Sequence, residues 1–288
     1  MCDQEHFDDD RREYEARGLV TRRQFGVLLG AGVAMLLPKV LNAVTVTESD
    51  VNIKTPDGTC DAYFVHPASG TAAAVLLWPD IFGLRPALRT MGKRLAESGY
   101  SVLVVNPFYR TKHAPTGAAS DFDDPAKRAA LFQLAGTLNE TTHMADAKAF
   151  VAWLDQQPSV NKSKKVGTQG YCMGGPMAFR TAAASDRVGA VASFHGGNLV
   201  TNMPNSPHLQ AAKTKAQFLI AIAESDDKTS PNDKTVLKDT FAKANLPAEI
   251  EVYPAAHGWC PPDTSVYSEP QAERAWSRLL ALYGKALA

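Results

Sequence analysis

The chain has 288 residues, 45% hydrophobic and 21% charged, a composition that suits one globular domain with a sizeable core. Lys plus Arg and Asp plus Glu are equal at 30 each, so no net field would draw the protein to nucleic acid or to an anionic membrane. The four cysteines, Cys2, Cys60, Cys172 and Cys260, show no CxxC or Cys/His ligand spacing, which argues against a zinc site.

Residues 1–43 read as a disordered or export segment apart from a single domain over 44–288. The first part is charged, with Asp8-Asp9-Asp10-Arg11-Arg12 and no apolar periodicity. Thr21-Arg22-Arg23-Gln24-Phe25 then opens a Gly/Ala-rich apolar run over 26–37, and Lys39 follows it. An arginine pair, a polar residue, phenylalanine and such a run resemble a twin-arginine export signal. The run is about a dozen residues, short of the ~20 that a spanning helix needs. The expectation is a bacterial protein delivered folded to the periplasm, with the twin-arginine machinery as a partner; the alternative is an internal amphipathic or buried helix. Leu41 is a poor third-from-last residue for cleavage after Ala43, so an uncleaved anchor is the other expected fate.

From Asp50 onward, strand and helix signals alternate. Residues 51–54 and 60–65 flank Pro56-Asp57-Gly58 and read as an opening antiparallel hairpin. The run 73–78 is continuously apolar, as a strand covered on both faces would be, and 102–105 is another. Between them, 86–98 reads as a helix ended by Gly99. Residues 107–138 suggest a long loop with a short helix near 126–135, and 141–157 a core-facing helix. Residues 165–169 and 189–194 read as strands, 195–213 as a Gly/Asn/Pro-rich connection, and 233–244 and 269–286 as helices. The alternation predicts an α/β fold whose sheet is mostly parallel with an antiparallel opening strand.

Gly170-Tyr171-Cys172-Met173-Gly174-Gly175 lies between the strand ending at Gln169 and the helix starting near Pro176, the context of a nucleophile elbow. Such a turn strains its central residue and exposes that side chain at a helix N-terminus, where a thiolate is favoured. Two later strands each end in a reactive group. Residues 217–223 lead into Glu224-Ser225-Asp226-Asp227, and 248–253 into Pro254-Ala255-Ala256-His257-Gly258-Trp259. Nucleophile, acid and histidine in this order, each past a strand end, predict acyl transfer with Cys172 attacking, His257 moving the proton and Asp226 orienting the imidazole. Asp227 is the adjacent rival for the acid.

With Asp80-Ile81-Phe82-Gly83-Leu84 after an apolar strand, these motifs resemble the dienelactone hydrolase (carboxymethylenebutenolidase) family of α/β-hydrolases, over residues 48 to 286. The resemblance implies an α/β-hydrolase fold, a central sheet with helices on both faces, and a small lactone or ester as substrate. It favours Asp226 over Asp227 by spacing. It also implies an oxyanion hole from the Ile81 N–H, beside the Met173 N–H that follows the nucleophile. Asp80 stands where the family carries a glutamate that holds and activates the resting thiol; the alternative is that Asp80 caps the following turn. The dienelactone-cleaving members carry an arginine four residues after the histidine and often a serine just after it; here those places are Pro261 and Gly258.

Lys127 or Arg128 is a candidate replacement cation, against the plainer expectation of a solvated charge. Phe82, His195 and Trp259 are candidate substrate contacts, His195 being equally a packed strand-end residue. Cys260 reads as a small loop residue that could line the pocket. No metal or organic cofactor is implied, since a thiolate and two donors suffice for ester cleavage, and a monomer or small homo-oligomer is expected. Two rivals remain at this level: a carboxylesterase of uncharged esters, and a thiol redox or ligand-binding protein without hydrolysis. An exported Cys172 would face oxidation.

Overall fold

The computed structural model describes residues 4–20 and 37–288; the apolar run and arginine pair at 21–36 lie outside the described residues. Eight strands form one sheet: β1 (Val46–Thr55), β2 (Gly58–Pro67), β3 (Ala74–Trp78), β4 (Ser101–Val105), β5 (Val166–Tyr171), β6 (Val188–Phe194), β7 (Gln217–Ala223) and β8 (Ala248–Tyr253). Their order is β1-β2-β4-β3-β5-β6-β7-β8. The β1–β2 hairpin is antiparallel with Thr55 opposite Gly58, so Pro56-Asp57 forms its tip, and β2 runs antiparallel to β4. From β4 across to β8 every pairing is parallel.

Nine helices accompany the sheet among the described residues: α1 (Gln4–Ala16), α2 (Pro86–Glu97), α3 (Pro125–Gly136), α4 (Glu140–Leu154), α5 (Gly174–Ala184), α6 (Pro207–Ala211), α7 (Glu224–Thr229), α8 (Asp233–Lys243) and α9 (Glu269–Ala286). Period-two alternation divides the apolar strands between two cores. Leu76, Trp78, Leu103 and Val105 pack with α4, α5 and α8 residues such as Phe150, Phe179 and Phe241. Val75, Leu77, Val102 and Val104 pack on the other face with Leu88 of α2 and Leu279 and Tyr283 of α9. This is why β3, β4 and β5 are buried at every residue. The parallel strands end along one edge, where the loops after β3, β5, β7 and β8 meet.

Three segments differ from the sequence expectation. Residues 107–138 hold more order than a long loop: a 3-10 turn at Ala119–Asp123 precedes α3, and the Asp124 side chain caps it by accepting from the N–H groups of Ala126 and Lys127 at 2.9 and 3.2 Å. This segment lays Phe122 and Leu131 on Ile81 and Phe82, a small apolar cluster of its own. The connection 195–213 contains α6. The third difference is α1, in a stretch expected to be disordered and apart from the domain. Its Tyr14 is fully buried against Ala256 and Val266. One aromatic anchor flanked by ion pairs leaves no periodic apolar signal, which is why the contact is invisible in sequence. No helix among the described residues is long and apolar enough to cross a membrane.

Candidate active site

The elbow is built from glycine's missing Cβ. A Cβ at Gly170 would lie 1.9 Å from the Gly174 carbonyl oxygen, and one at Gly174 would lie 2.5 Å from the Trp78 carbonyl oxygen. One at Gly175 would lie 2.7 Å from the Gly196 Cα, so β5, α5 and the neighbouring loops close together only without side chains there. Cys172 sits at the apex with φ of +50°, a left-handed conformation that costs a non-glycine residue roughly 1–3 kcal/mol. Its N–H donates to the Phe194 carbonyl at 3.1 Å, and its own carbonyl accepts from the N–H groups of Gly175 and Gly197 at 3.1 and 3.3 Å. Three backbone bonds thus hold the strained residue, and its side chain is half-buried rather than packed into either core.

Asp226 lies in the first turn of α7, directly after β7, and His257 lies four residues beyond β8. His257 Nδ1 is 2.9 Å from both carboxylate oxygens of Asp226. Asp227 points elsewhere, accepting from Lys234 Nζ at 2.6 Å, so the geometry selects Asp226 of the two. The His257 N–H donates to Ser225 Oγ at 2.9 Å, which ties the histidine loop to the acid loop through backbone as well as side chain. With Nδ1 given to Asp226, Nε2 is the ring nitrogen left to face the Cys172 side chain. Burial pulls the imidazole down, but the charge of Asp226 and then that of Cys172 outweigh it and hold His257 well above its ordinary value. The three residues named from sequence order are therefore brought together.

Ile81 and Met173 are the expected oxyanion donors. Ile81 lies in the turn after β3, and Met173 sits at the N-terminal cap of α5. Among the described residues neither N–H donates to a protein acceptor outside regular helix and strand pairing.

Asp80 is 3% exposed, and its carboxylate caps the turn that follows it, the alternative reading of this position. Its Oδ1 accepts from the Phe82 N–H at 3.0 Å and from Arg85 Nη1 at 2.6 Å, and its Oδ2 accepts from Arg85 Nη2 at 2.9 Å. Arg85 also donates to Asp263, from Nε at 2.6 Å and from Nη2 at 2.9 Å. One guanidinium thus joins the loop after β3 to the loop after His257. Burial pushes the Asp80 carboxyl up, and the adjacent Arg85 opposes it. Sequence reasoning missed this triad. Arg85 follows Asp80 closely, but nothing local points to Asp263, 178 residues away.

Other expected contacts divide. Phe82 is 9% exposed, stacks edge-on to Phe122 at 5.9 Å between ring centres, and lies 5.0 Å beneath the Arg85 guanidinium carbon. His195 has φ of +41° and packs edge-to-face on His257, 5.0 Å between centres. Burial, then the charge of His257, hold His195 well below the ordinary histidine value, so it is neutral. Trp259 corrects its expectation as a substrate contact: it is fully buried, stacked on Tyr253 at 5.0 Å, and reaches the site only through His195. Cys260 is likewise core. Lys127 pairs with Asp121 at 3.0 Å, and Arg128 donates to the Phe122 carbonyl at 2.8 Å, so neither stands as a free anchor for a substrate carboxylate.

The dienelactone hydrolase family model matches residues 60–287. A carboxymethylenebutenolidase of Rhodococcus opacus is 29% identical over 204 residues, covering 69% of this chain and 75% of that protein. Among solved structures, one from Klebsiella pneumoniae subsp. pneumoniae superposes with a TM-score of 0.72 at 22% identity, over 84% of this chain and 99% of that one. A dienelactone hydrolase-like promiscuous phosphotriesterase from metagenomic libraries superposes with a TM-score of 0.68 at 20% identity, again over 84% and 99%. At these identities the structural likeness speaks to the fold, an α/β-hydrolase architecture.

Proposed function

The chain belongs to the dienelactone hydrolase family and is a carboxylic ester hydrolase of that kind; from this premise we propose that it cleaves a small lactone or ester through Cys172, His257 and Asp226. The observation that carries the proposal is the Nδ1 contact of His257 to both Asp226 oxygens, which leaves Nε2 for Cys172, with the imidazole lifted against burial by Asp226 and then by Cys172. Asp226 fixes the tautomer and His257 takes the thiol proton. Cys172 Sγ then attacks the carbonyl carbon, and the resulting oxyanion meets the Met173 and Ile81 N–H groups. Collapse breaks the C–O bond, His257 protonates the leaving oxygen, and a thioester remains on Cys172. Water, deprotonated by His257, then releases the acid. In a lactone the leaving oxygen stays tethered to the acyl group.

Within that class the geometry favours uncharged substrates. Arg85 is saturated by Asp80 and Asp263, Pro261 occupies the family's arginine place, and Lys127 and Arg128 are engaged locally. A carboxylate-bearing dienelactone would find Arg85, Lys127 and Arg128 already engaged. We expect kcat/KM for an uncharged aryl ester such as 4-nitrophenyl acetate to exceed that for a dienelactone carboxylate by about tenfold or more, given that charge-assisted hydrogen bonds contribute ~1.5–3 kcal/mol. Initial rates on both substrates check this; a preference for the charged lactone would overturn it.

Export by the twin-arginine route extends the proposal and rests on Arg22-Arg23-Gln24-Phe25 with the apolar run behind it. Replacing both Arg22 and Arg23 by lysine is expected to leave the protein in the cytoplasm of a bacterial host, measured by cell fractionation. Unchanged delivery to the periplasm would sink the assignment.

A further inference from the structure

The helix α1 precedes the part of the chain that matches the family, yet one of its faces lands on the two loops that carry the acid and the base. Asp10, Glu13, Tyr14 and Arg17 recur at helical spacing and share that face. Tyr14 is fully buried against Ala256, the residue before His257, and against Val266 in the loop after it. Glu13 accepts from Lys228 Nζ at 2.8 Å, and Arg17 Nη1 donates to Glu224 Oε2 at 2.7 Å, so two ion pairs hold α7 from either end. The Ser225 hydroxyl lies beside the Asp10 carboxyl and opposes the upward push of burial on it, and the same oxygen accepts the His257 N–H at 2.9 Å. A continuous line of contacts therefore runs from α1 through Ser225 to the backbone of His257.

The elements it touches are intrinsically soft. A six-residue helix such as α7 has little stability of its own, and the His257 loop turns at Gly258 with φ of +97°. Among the described residues, the contacts of α1 fall on Glu224, Ser225, Lys228, Ala256 and Val266, in the two loops that carry Asp226 and His257.

We propose that α1 is an intramolecular brace for the acid–base pair, with Tyr14 as a positioning residue that holds the His257 loop against α7. This rests on the hydrolytic reading of Cys172, His257 and Asp226. Docked, α1 keeps Nδ1 of His257 centred on both Asp226 oxygens; undocked, α7 and the histidine loop move independently and the imidazole spends less time aligned. α1 precedes Arg22-Arg23, so export by the twin-arginine route would part it from the domain; the brace is a property of the chain before export, and loss of the N-terminal segment lowers turnover.

The test uses the full-length protein and its Tyr14→Ala, Tyr14→Phe, Arg17→Glu and Arg17→Glu/Glu224→Arg variants. For Tyr14→Ala we expect kcat on 4-nitrophenyl acetate to fall about tenfold with KM within about twofold, as loosened positioning produces. Tyr14→Phe, which keeps the ring, should stay within about twofold of the parent in kcat. Proton NMR supplies a readout that needs no substrate: the hydrogen-bonded Nδ1–H resonance of His257 should broaden or vanish in Tyr14→Ala and persist in Tyr14→Phe. Arg17→Glu should lower kcat in the same way, and the charge-swapped double variant should recover it, which keeps the test intact where Tyr14→Ala fails to fold. Unchanged kcat with a sharp Nδ1–H resonance in Tyr14→Ala overturns the brace. So does a rise in kcat, which would make α1 an inhibitor. Failure of the parent protein itself to hydrolyse any ester or lactone would instead count against the hydrolytic reading, while the resonance still reports on α1.

Discussion

Replacing Cys172 by alanine is expected to lower kcat for an ester substrate by roughly 10⁵–10⁶-fold, the scale of losing a nucleophile that acts as a unit with its base. The fold should survive, because the backbone contacts that hold the elbow, from Cys172 N–H to Phe194 and from Gly175 and Gly197 to the Cys172 carbonyl, involve no side-chain atom. Alanine at φ of +50° carries the same Cβ strain as cysteine, so the turn's own cost does not change. Initial rates measured beside a mass spectrum of the acylated protein check both halves: the parent should trap an acyl adduct on Cys172 and the variant should not. Hydrolysis by Cys172→Ala within about tenfold of the parent would remove the proposed mechanism.

Asp226→Asn should cost about 10⁴-fold in kcat, since the side chain is nearly isosteric but no longer dictates which imidazole nitrogen bears the proton. Both Asp226 oxygens lie 2.9 Å from Nδ1, a geometry an amide satisfies with only one acceptor. The substitution also carries a sign in pH. Asp226, followed by Cys172, raises His257 well above 6.5 against the opposing effect of burial. The proton that His257 takes from the thiol must be held until it passes to the leaving oxygen, so activity is lost on the alkaline side where His257 no longer holds a proton. Removing the Asp226 charge lets His257 fall back, so the alkaline limb of kcat/KM should move to lower pH in Asp226→Asn. A pH profile in which that limb stays fixed or moves upward would show that Asp226 does not control the imidazole.

How much of this was legible in sequence varies with the range of the interactions involved. The hairpin around Pro56-Asp57, the apolar strands at 74–78 and 101–105, and the helix ended by Gly99 rest on local turn chemistry and periodicity, and the structure has them within a few residues of expectation. The elbow was readable for the same reason, because its glycines are demanded by backbone approaches a few residues apart, such as Gly170 against Gly174. The position of Asp226 and His257 after strand ends was readable too, since a parallel sheet gathers such ends on one edge.

What sequence could not express were contacts between side chains far apart in the chain. The partner of Arg85 at Asp263 is one case, and it occupies a buried cation that the proposed preference for uncharged substrates takes into account. Trp259 is another: an aromatic next to a reactive histidine reads as a pocket wall, but its stacking on Tyr253 places it in the core. Tyr14 is the third, an isolated aromatic in a charged stretch whose burial depends on a surface that exists only once the loops after β7 and β8 have folded. Sequence by itself determined the fold class, the placing of Cys172, Asp226 and His257 past successive strand ends, and the family, because each is carried by residues near one another or by strand ends that topology must align. Tertiary structure decided that Asp80 is given to Arg85, that Arg85 reaches Asp263, and that the N-terminal helix rests on the loops that carry Asp226 and His257. Those outcomes depend on which side chains share a buried, low-dielectric space, and that pairing is set by the packed molecule rather than by spacing along the chain.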